Sequence, residues 1–407
     1  MPNKRKIIND PVFGFISVPN DFLYELLQHP YVQRLNRIRQ LGLSFFVYPG
    51  AMHTRFLHSL GTMHLMQEAL QVLRQKGIGI SHDEGNAAMA AILLHDIGHG
   101  PFSHVLENTL VHGVSHEQLS LMMMEQIDRE FEGQLSAAID LFKDEYPRRF
   151  LHQMISSQLD MDRLDYLCRD SFFCGVNEGT VASARILKML NVAGDKLVVE
   201  AKGIYSIEKF LVARRLMYWQ VYLHKTSVGA EQLLINILRR AQELASNGYE
   251  LFATPALHWF LYHYVGIEDF CNSTKALEYY ARLDDTDILS AIKVWEDCDD
   301  LVLSTLCKAF SNRRLFKAKI LTRLLDENQK EEYMEAYSRR FGIERKDARY
   351  FCSIHTVSTD TYSPKDDSID ILYRDGTIRD IAEASDMLNI QVLSKKVEKH
   401  YLYYYPL

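Results

Sequence analysis

The stretch from Ile92 to His104, ILLHDIGHGPFSH, places three histidines and an aspartate within thirteen positions. It follows an apolar run, Ala87 to Leu94, so ionisable groups gather where the chain enters its interior, and burying them is costly without partners. Imidazoles with carboxylates suit a borderline or hard divalent ion (Zn, Fe, Mn, Ni or Mg) and leave positions open for water. His95 and Asp96 are adjacent near a helix end that Gly98 and Gly100-Pro101 terminate. Adjacent helical side chains diverge by about 100°, so one ion meets both only over their shared edge and needs further ligands. Upstream, HTRFLHSLGTMHL offers His53, His58 and His64; downstream, SSQLDMDRLDYLCRD offers Asp160, Asp162, Asp165 and Asp170. Each piece alone has an ordinary explanation. His112 and His152 read as surface or capping residues, and Asp160 and Asp165 read equally well as helix-face charges.

The elements that must position these groups are mainly helical. Phe22 to Gln40 has helical apolar spacing broken at His29-Pro30, and Leu60 to Lys76 ends at Gly77. His82 to His95, Glu117 to Phe131, Arg149 to Cys168 and Ser206 to Ser246 are further helices. After about residue 335 the character changes. Tyr350 to Tyr362, Ser368 to Tyr373 and His400 to Tyr405 read as strands, with Arg345 to Arg349 and Ile378 to Leu388 helical between them. The expected fold class is mainly α, a helical bundle with a small C-terminal α+β appendage. The expected division is 1–245, a helical extension at 246–334, and the α+β region at 335–407.

The 407 residues are 47% hydrophobic with a net charge of −7, enough for a large core and no general trap for polyanions. Phosphate binding must then come from local cations. The cysteines at 168, 174, 271, 298, 307 and 352 form no CxxC pair, which suits reduced thiols in the cytoplasm. MPNKRKIINDP lacks the apolar run of a signal peptide, and no segment reaches the roughly 18 apolar residues of a membrane span.

The order H…HD…D, with His58, His95-Asp96 and Asp162, resembles the HD-domain phosphohydrolase superfamily. INDPVFGFI, QRLNRIRQLG, YPGAMHTRFLHSLG, LLHDIGHGPFSH, SHEQLS, LDMDRLDYLCRD and YLHK are similar, in order, to the deoxynucleotide triphosphohydrolases. The likeness is greatest to the sterile-alpha-motif-and-HD-domain branch and its bacterial relatives. It covers residues 7 to 235 strongly and extends weakly through NRRLFK into the C-terminal region. The resemblance implies an HD-domain bundle in which His58, His95, Asp96 and Asp162 bind one divalent metal, with further Mg on the triphosphate as an option. Water attacks the α-phosphorus of a dNTP, giving deoxynucleoside and tripolyphosphate. The departing 5′-alkoxide is basic, so a proton donor should assist it.

His104 and His116 are the candidate donors. Glu107 falls where the family carries an acid, and Glu117 is adjacent to His116 and placed to orient it. By the same likeness His99 lines the phosphate pocket. Arg55, Arg163 (usually lysine in the family), Arg214 and Lys225 supply cations, Tyr166 packs under the deoxyribose, Gln40 and Asp170 bind its 3′-hydroxyl, and Tyr222 lies near the base. Each of these also has a structural reading as a cap, core ring or solvated charge.

Gln28 and Asn36 replace the aspartate and arginine through which vertebrate-type enzymes bind activating guanine nucleotide, although Gln33 is kept. That counts against GTP activation. Arg313 and Lys317 leave a dNTP activator open. The expected assembly is a homodimer or homotetramer, for which Phe252 to Tyr264 and the YYYP tail offer interface surface or, equally, core. No sterile-alpha-motif domain is expected ahead of residue 7. Two other functions fit the same residues: hydrolysis of another nucleotide phosphoester, and nucleotide or single-stranded nucleic-acid binding without turnover.

Overall fold

The structure, a computed structural model, describes residues 6–102, 104–107, 109–323, 325–359, 362, 368–386 and 397–406. The fold is mainly α with small sheets, as the helical periodicity predicts. At its centre lie two helices, Arg55–Gln75 and His82–Leu94. The second starts on a capping box, in which the Ser81 hydroxyl accepts from the Glu84 amide and the Glu84 carboxylate accepts from the Ser81 amide. It is buried at every position from Ala87 to Leu94. A helix apolar all round belongs inside a core, and alanines 87, 88, 90 and 91 let its neighbours approach closely. His95 follows directly, so the site begins where the most buried helix ends.

Two expected helices are interrupted. Arg149 to Cys168 is a short helix, Arg149–Gln153, then non-helical chain, then Met161–Cys174. The break comes from Asp160, whose carboxylate accepts from the Ser157 and Arg163 amides at 2.9 and 2.7 Å and caps the second helix. Ser206 to Ser246 is Ile204–Met217, a π-helical turn Tyr218–Tyr222, and Lys225–Ser246. Here the His224 side chain caps the last segment by accepting from the Thr226 amide at 3.2 Å.

The C-terminal region corrects one assignment and crosses two expected boundaries. Ile378 to Ala384 is not one helix. Ile378–Asp380 is a strand paired with Asp370–Leu372, and Asp380 then caps the short helix Ile381–Ala384; residues 387 and 388 lie outside the described residues. Lys317–Leu321 joins Val397–Tyr404 and Cys352–Thr359 in a three-stranded sheet. Asp370–Leu372 pairs in parallel with Lys196–Glu200 of the helical region, so strand pairing ties the C-terminal segment back to residues before 245. Tyr401 and Tyr403 of the tail are buried, and Gly229 of the Lys225–Ser246 helix packs under the Tyr403 ring; Tyr264 remains 77% exposed. Among the described residues, no helix is long and apolar enough to cross a membrane.

The Arg55–Gln75 helix passes Met161–Cys174 at Gly61, where an added Cβ would overlap Asp165 Oδ1 and Arg169 Nη2. Those two side chains form a fully buried ion pair at 2.9 Å. Gly61→Ala is therefore expected to destabilise the protein by about 3 kcal/mol, because it forces a buried pair apart. Chemical denaturation of the two proteins measures it.

Candidate active site

Three segments converge at the end of the His82–Leu94 helix. His58, on the first turn of Arg55–Gln75, is completely buried. Its Nε2 lies 3.1 Å from Asp162 Oδ1 and 3.8 Å from Asp96 Oδ2. His95 Nε2 lies 3.5 Å from Asp96 Oδ1 and 3.6 Å from Asp162 Oδ1. Each ring is turned by a bond at its other nitrogen. His58 Nδ1 meets Asp165 Oδ2 at 2.7 Å, and His95 Nδ1 meets the Ile92 carbonyl at 2.6 Å. Such bonds fix the tautomer that leaves Nε2 as a lone-pair donor. Both Nε2 atoms are buried without a well-aligned hydrogen bond, and with an Asp162 oxygen they form a group close enough to share a metal ion.

The electrostatics fit a cation. Burial disfavours charge on His58, yet the carboxylates of Asp162 and Asp165 outweigh it and push its pKa up to about 10. His95 is raised likewise against burial, chiefly by Asp96. Asp162 and Asp96 are held well below the usual carboxylate range despite burial, the first by His58 and His95, the second by His95, His99 and Arg55. The carboxylates thus favour positive charge at this point, which a divalent ion would supply.

The turn that carries His95 and Asp96 is clamped from behind. Arg34, fully buried, donates from Nη1 to the Ile97 and His99 carbonyls at 2.8 Å each and from Nε to Ala281 O at 3.2 Å. Tyr280 Oη donates to Gly98 O at 2.8 Å. Ser120 Oγ accepts from the Gly98 amide at 2.9 Å and donates to His95 O at 2.7 Å. An added Cβ at Gly98 would overlap the His116 carbonyl and Ser120 amide, so glycine there lets the His116–Glu130 helix sit against the turn.

That approach builds a second cluster. The His99 and His116 rings stack at 3.9 Å and 16°. His116 Nδ1 meets Glu107 Oε1 at 2.8 Å. Burial, then Arg55, depresses His99 to about 3, which keeps it neutral. Glu117 does not orient His116: it is exposed, because successive helical side chains point apart, and Glu107 takes that part. His104 begins the short helix His104–Glu107, and its side chain lies outside the described residues. His112 stacks on Tyr264, and His152 bonds the Leu141 carbonyl.

Beside the clusters opens a cavity of about 610 Å³, lined by Gln40, Arg55, Tyr166, Asp170 and Tyr222 among others, within the range of ligand pockets. Arg55 Nη1 also meets Asp96 Oδ2 at 2.5 Å, joining cavity to cluster. Asp170 accepts from Tyr222 Oη at 2.8 Å and pairs with buried His53 at 2.7 Å, while Gln40 Oε1 is buried without a hydrogen bond. The π-helical turn brings both Tyr218 and Tyr222 to the wall.

Three expected cations do not line this cavity. Arg163 pairs with buried Asp160, Arg214 donates to Gln158 Oε1 at 2.9 Å, and Lys225 is exposed at the start of its helix. At the activator positions, Gln33 donates to Leu27 O, Asn36 donates to Gln33, and Arg313 donates to Phe46 O. Sequence reasoning missed Arg34, Tyr218, Gln232 and the wall at His355 to Ser358. Tyr218 carried a signal in its spacing of four from Tyr222; the others are joined to the site only by tertiary packing.

Known proteins agree with this architecture. The HD domain family matches residues 55–170, and the HD-associated region matches 181–252. The protein YwfO of Bacillus subtilis is 31% identical, over 99% of this chain and 92% of its own. A deoxynucleoside triphosphate triphosphohydrolase, the SAMHD1 homolog of Dictyostelium discoideum, is 30% identical over 58% of this chain and 50% of its own. The crystal structure of a phosphohydrolase from Bacteroides thetaiotaomicron superposes with a TM-score of 0.96 at 60% identity, covering 98% of this chain and all of that one. With the histidine–aspartate cluster inside the matched segment, the chain belongs to the HD-domain phosphohydrolase superfamily.

Proposed function

We propose that the protein is a divalent-metal-dependent triphosphohydrolase that converts a dNTP into deoxynucleoside and tripolyphosphate. One observation carries the reading: two buried Nε2 atoms and the Asp162 carboxylate converge beside a cavity that Arg55 lines. His58, His95, Asp96 and Asp162 would hold the ion. When bound there, a divalent cation would polarise the α-phosphoryl group and supply water made acidic enough to attack at neutral pH.

The remaining roles belong to the chain itself. Arg55 faces both Asp96 and the cavity and so neutralises phosphate charge at the reacting end. Glu107 fixes His116 in the tautomer with Nδ1 protonated and turns its ring toward His99. In its imidazolium form, with Nδ1–H held by Glu107, His116 passes the Nε2 proton to the departing 5′-oxygen as the bond from phosphorus breaks and is left as the neutral Nδ1–H tautomer. Tyr166 and Tyr222, packed edge to face at 5.9 Å, form one wall against the sugar region, and Asp170, with a lone pair left on each oxygen, accepts from the 3′-hydroxyl. The deoxynucleoside triphosphate triphosphohydrolase among the relatives supports this substrate class.

Chromatographic separation of products from each dNTP, with Mn or Mg, tests the reading. Deoxynucleoside plus tripolyphosphate, abolished in His95→Ala, is the expected result. Orthophosphate or pyrophosphate as the product would transfer the site to another phosphoester, and no turnover would contradict it.

Two further outcomes follow from the geometry. Asp165→Asn leaves the four proposed ligands intact but loosens the His58 ring, so calorimetric Mn²⁺ titration should show affinity reduced 10- to 100-fold. His116→Gln and Glu107→Gln should each lower kcat by about 10² to 10⁴. The loss should shrink for an aryl phosphodiester, whose phenolate leaves without a proton. Equal losses on both substrates would remove His116 from the proton-donor role.

A further inference from the structure

The cavity has a wall that the roles above leave unused, and the inference drawn from it rests on the proposed dNTP substrate. With phosphates at Arg55 and sugar at Tyr166 and Asp170, the remaining boundary runs along the Lys225–Ser246 helix and the Cys352–Thr359 strand. Val228, Glu231, Gln232 and Ile235 border the cavity at helical spacings, one face that leads about 10 Å along the axis. It leads away from the end that follows Tyr222.

Four consecutive strand residues, His355, Thr356, Val357 and Ser358, border the same cavity. Successive strand side chains point to opposite faces, so a run of four means that the edge of the strand, not a face, meets the cavity. The sheet order agrees: among the described residues this strand is outermost, pairing with Val397–Tyr404 on one side. An outer edge presents N–H and C=O groups that no neighbouring strand takes up. Nucleobase edges present donors and acceptors of the same kind.

Two side chains extend that row. Gln232 is 9% exposed and brings one amide donor pair and one acceptor. His355 sits exposed on the edge itself, and its two ring nitrogens can hydrogen-bond a base edge. Both can match a base edge, and the Glu231 carboxylate on the same wall disfavours a further phosphate there.

We propose that Gln232 and His355, set along the outer edge of the Cys352–Thr359 strand, read the nucleobase and decide which deoxynucleotide is preferred.

The test is kcat/KM for the four common dNTPs, with dITP and dUTP as edge-altered analogues, on wild type, Gln232→Ala and His355→Ala. Wild type is expected to separate its best and worst substrates at least tenfold. The substitutions should change that ratio by about five- to fiftyfold, the effect of leaving a base-edge group unpaired. A purely structural role would scale every substrate alike and leave the ratios fixed, so partial misfolding does not imitate the result. Equal treatment of all dNTPs by wild type, or ratios unchanged in both variants, would overturn the proposal. In either case turnover itself persists, which separates this failure from that of the dNTPase reading, where no dNTP is turned over at all.

Discussion

Everything at the site depends on a line of alternating charge buried behind His58. Asp10 pairs with Arg169 at 2.7 Å, Arg169 with Asp165 at 2.9 Å, and Asp165 with His58 at 2.7 Å. All four side chains are essentially sealed from solvent. A lone charge there would be prohibitive, whereas a chain of opposite charges with every member hydrogen-bonded is tolerated and can adopt only one arrangement. The line runs from the end of the strand Ile7–Asp10 to a helix more than 150 residues later. Forming the fold and aiming the His58 ring are therefore one event.

A second constraint acts on the His95-Asp96 side of the cluster. The His95-Asp96 turn has its carbonyls occupied by Arg34 and Tyr280 and its glycine amide occupied by Ser120. The turn is left with little freedom once its backbone groups are satisfied. Ser120 belongs to the helix that begins with His116, so the clamp on the His95-Asp96 turn also sets the His116–Glu107 pair against His99. The Arg34 cation is held by carbonyl oxygens of this turn and of the chain at Tyr280, Ala281 and Leu283.

Much of this was legible in the sequence because its signals are local. Helical periodicity, the apolar run before His95 and the H…HD…D order all survive without knowledge of packing, and His58, His95, Asp96 and Asp162 do meet. Long-range and edge effects were not legible. Glu117 lay next to His116 in sequence, but helical geometry turned it to solvent and left Glu107 to take the bond. Arg163 and Arg214 looked like phosphate cations, yet Asp160 and Gln158 claim them. The outer strand edge at His355 to Ser358 left no trace, because which edge of a strand faces a cavity depends on sheet order and not on residue type. The π-helical turn was hidden inside an otherwise continuous apolar pattern.

The central claim is that two imidazoles and two carboxylates share one divalent ion. Anomalous diffraction from crystals grown with Mn²⁺ addresses it directly. The account predicts a peak at bonding distance, about 2.0–2.3 Å, from His58 Nε2 and His95 Nε2 and bounded by Asp96 and Asp162. A peak instead between His99, Glu107 and His116, a second group among the described residues close enough to share a metal, or no peak at all, would contradict it.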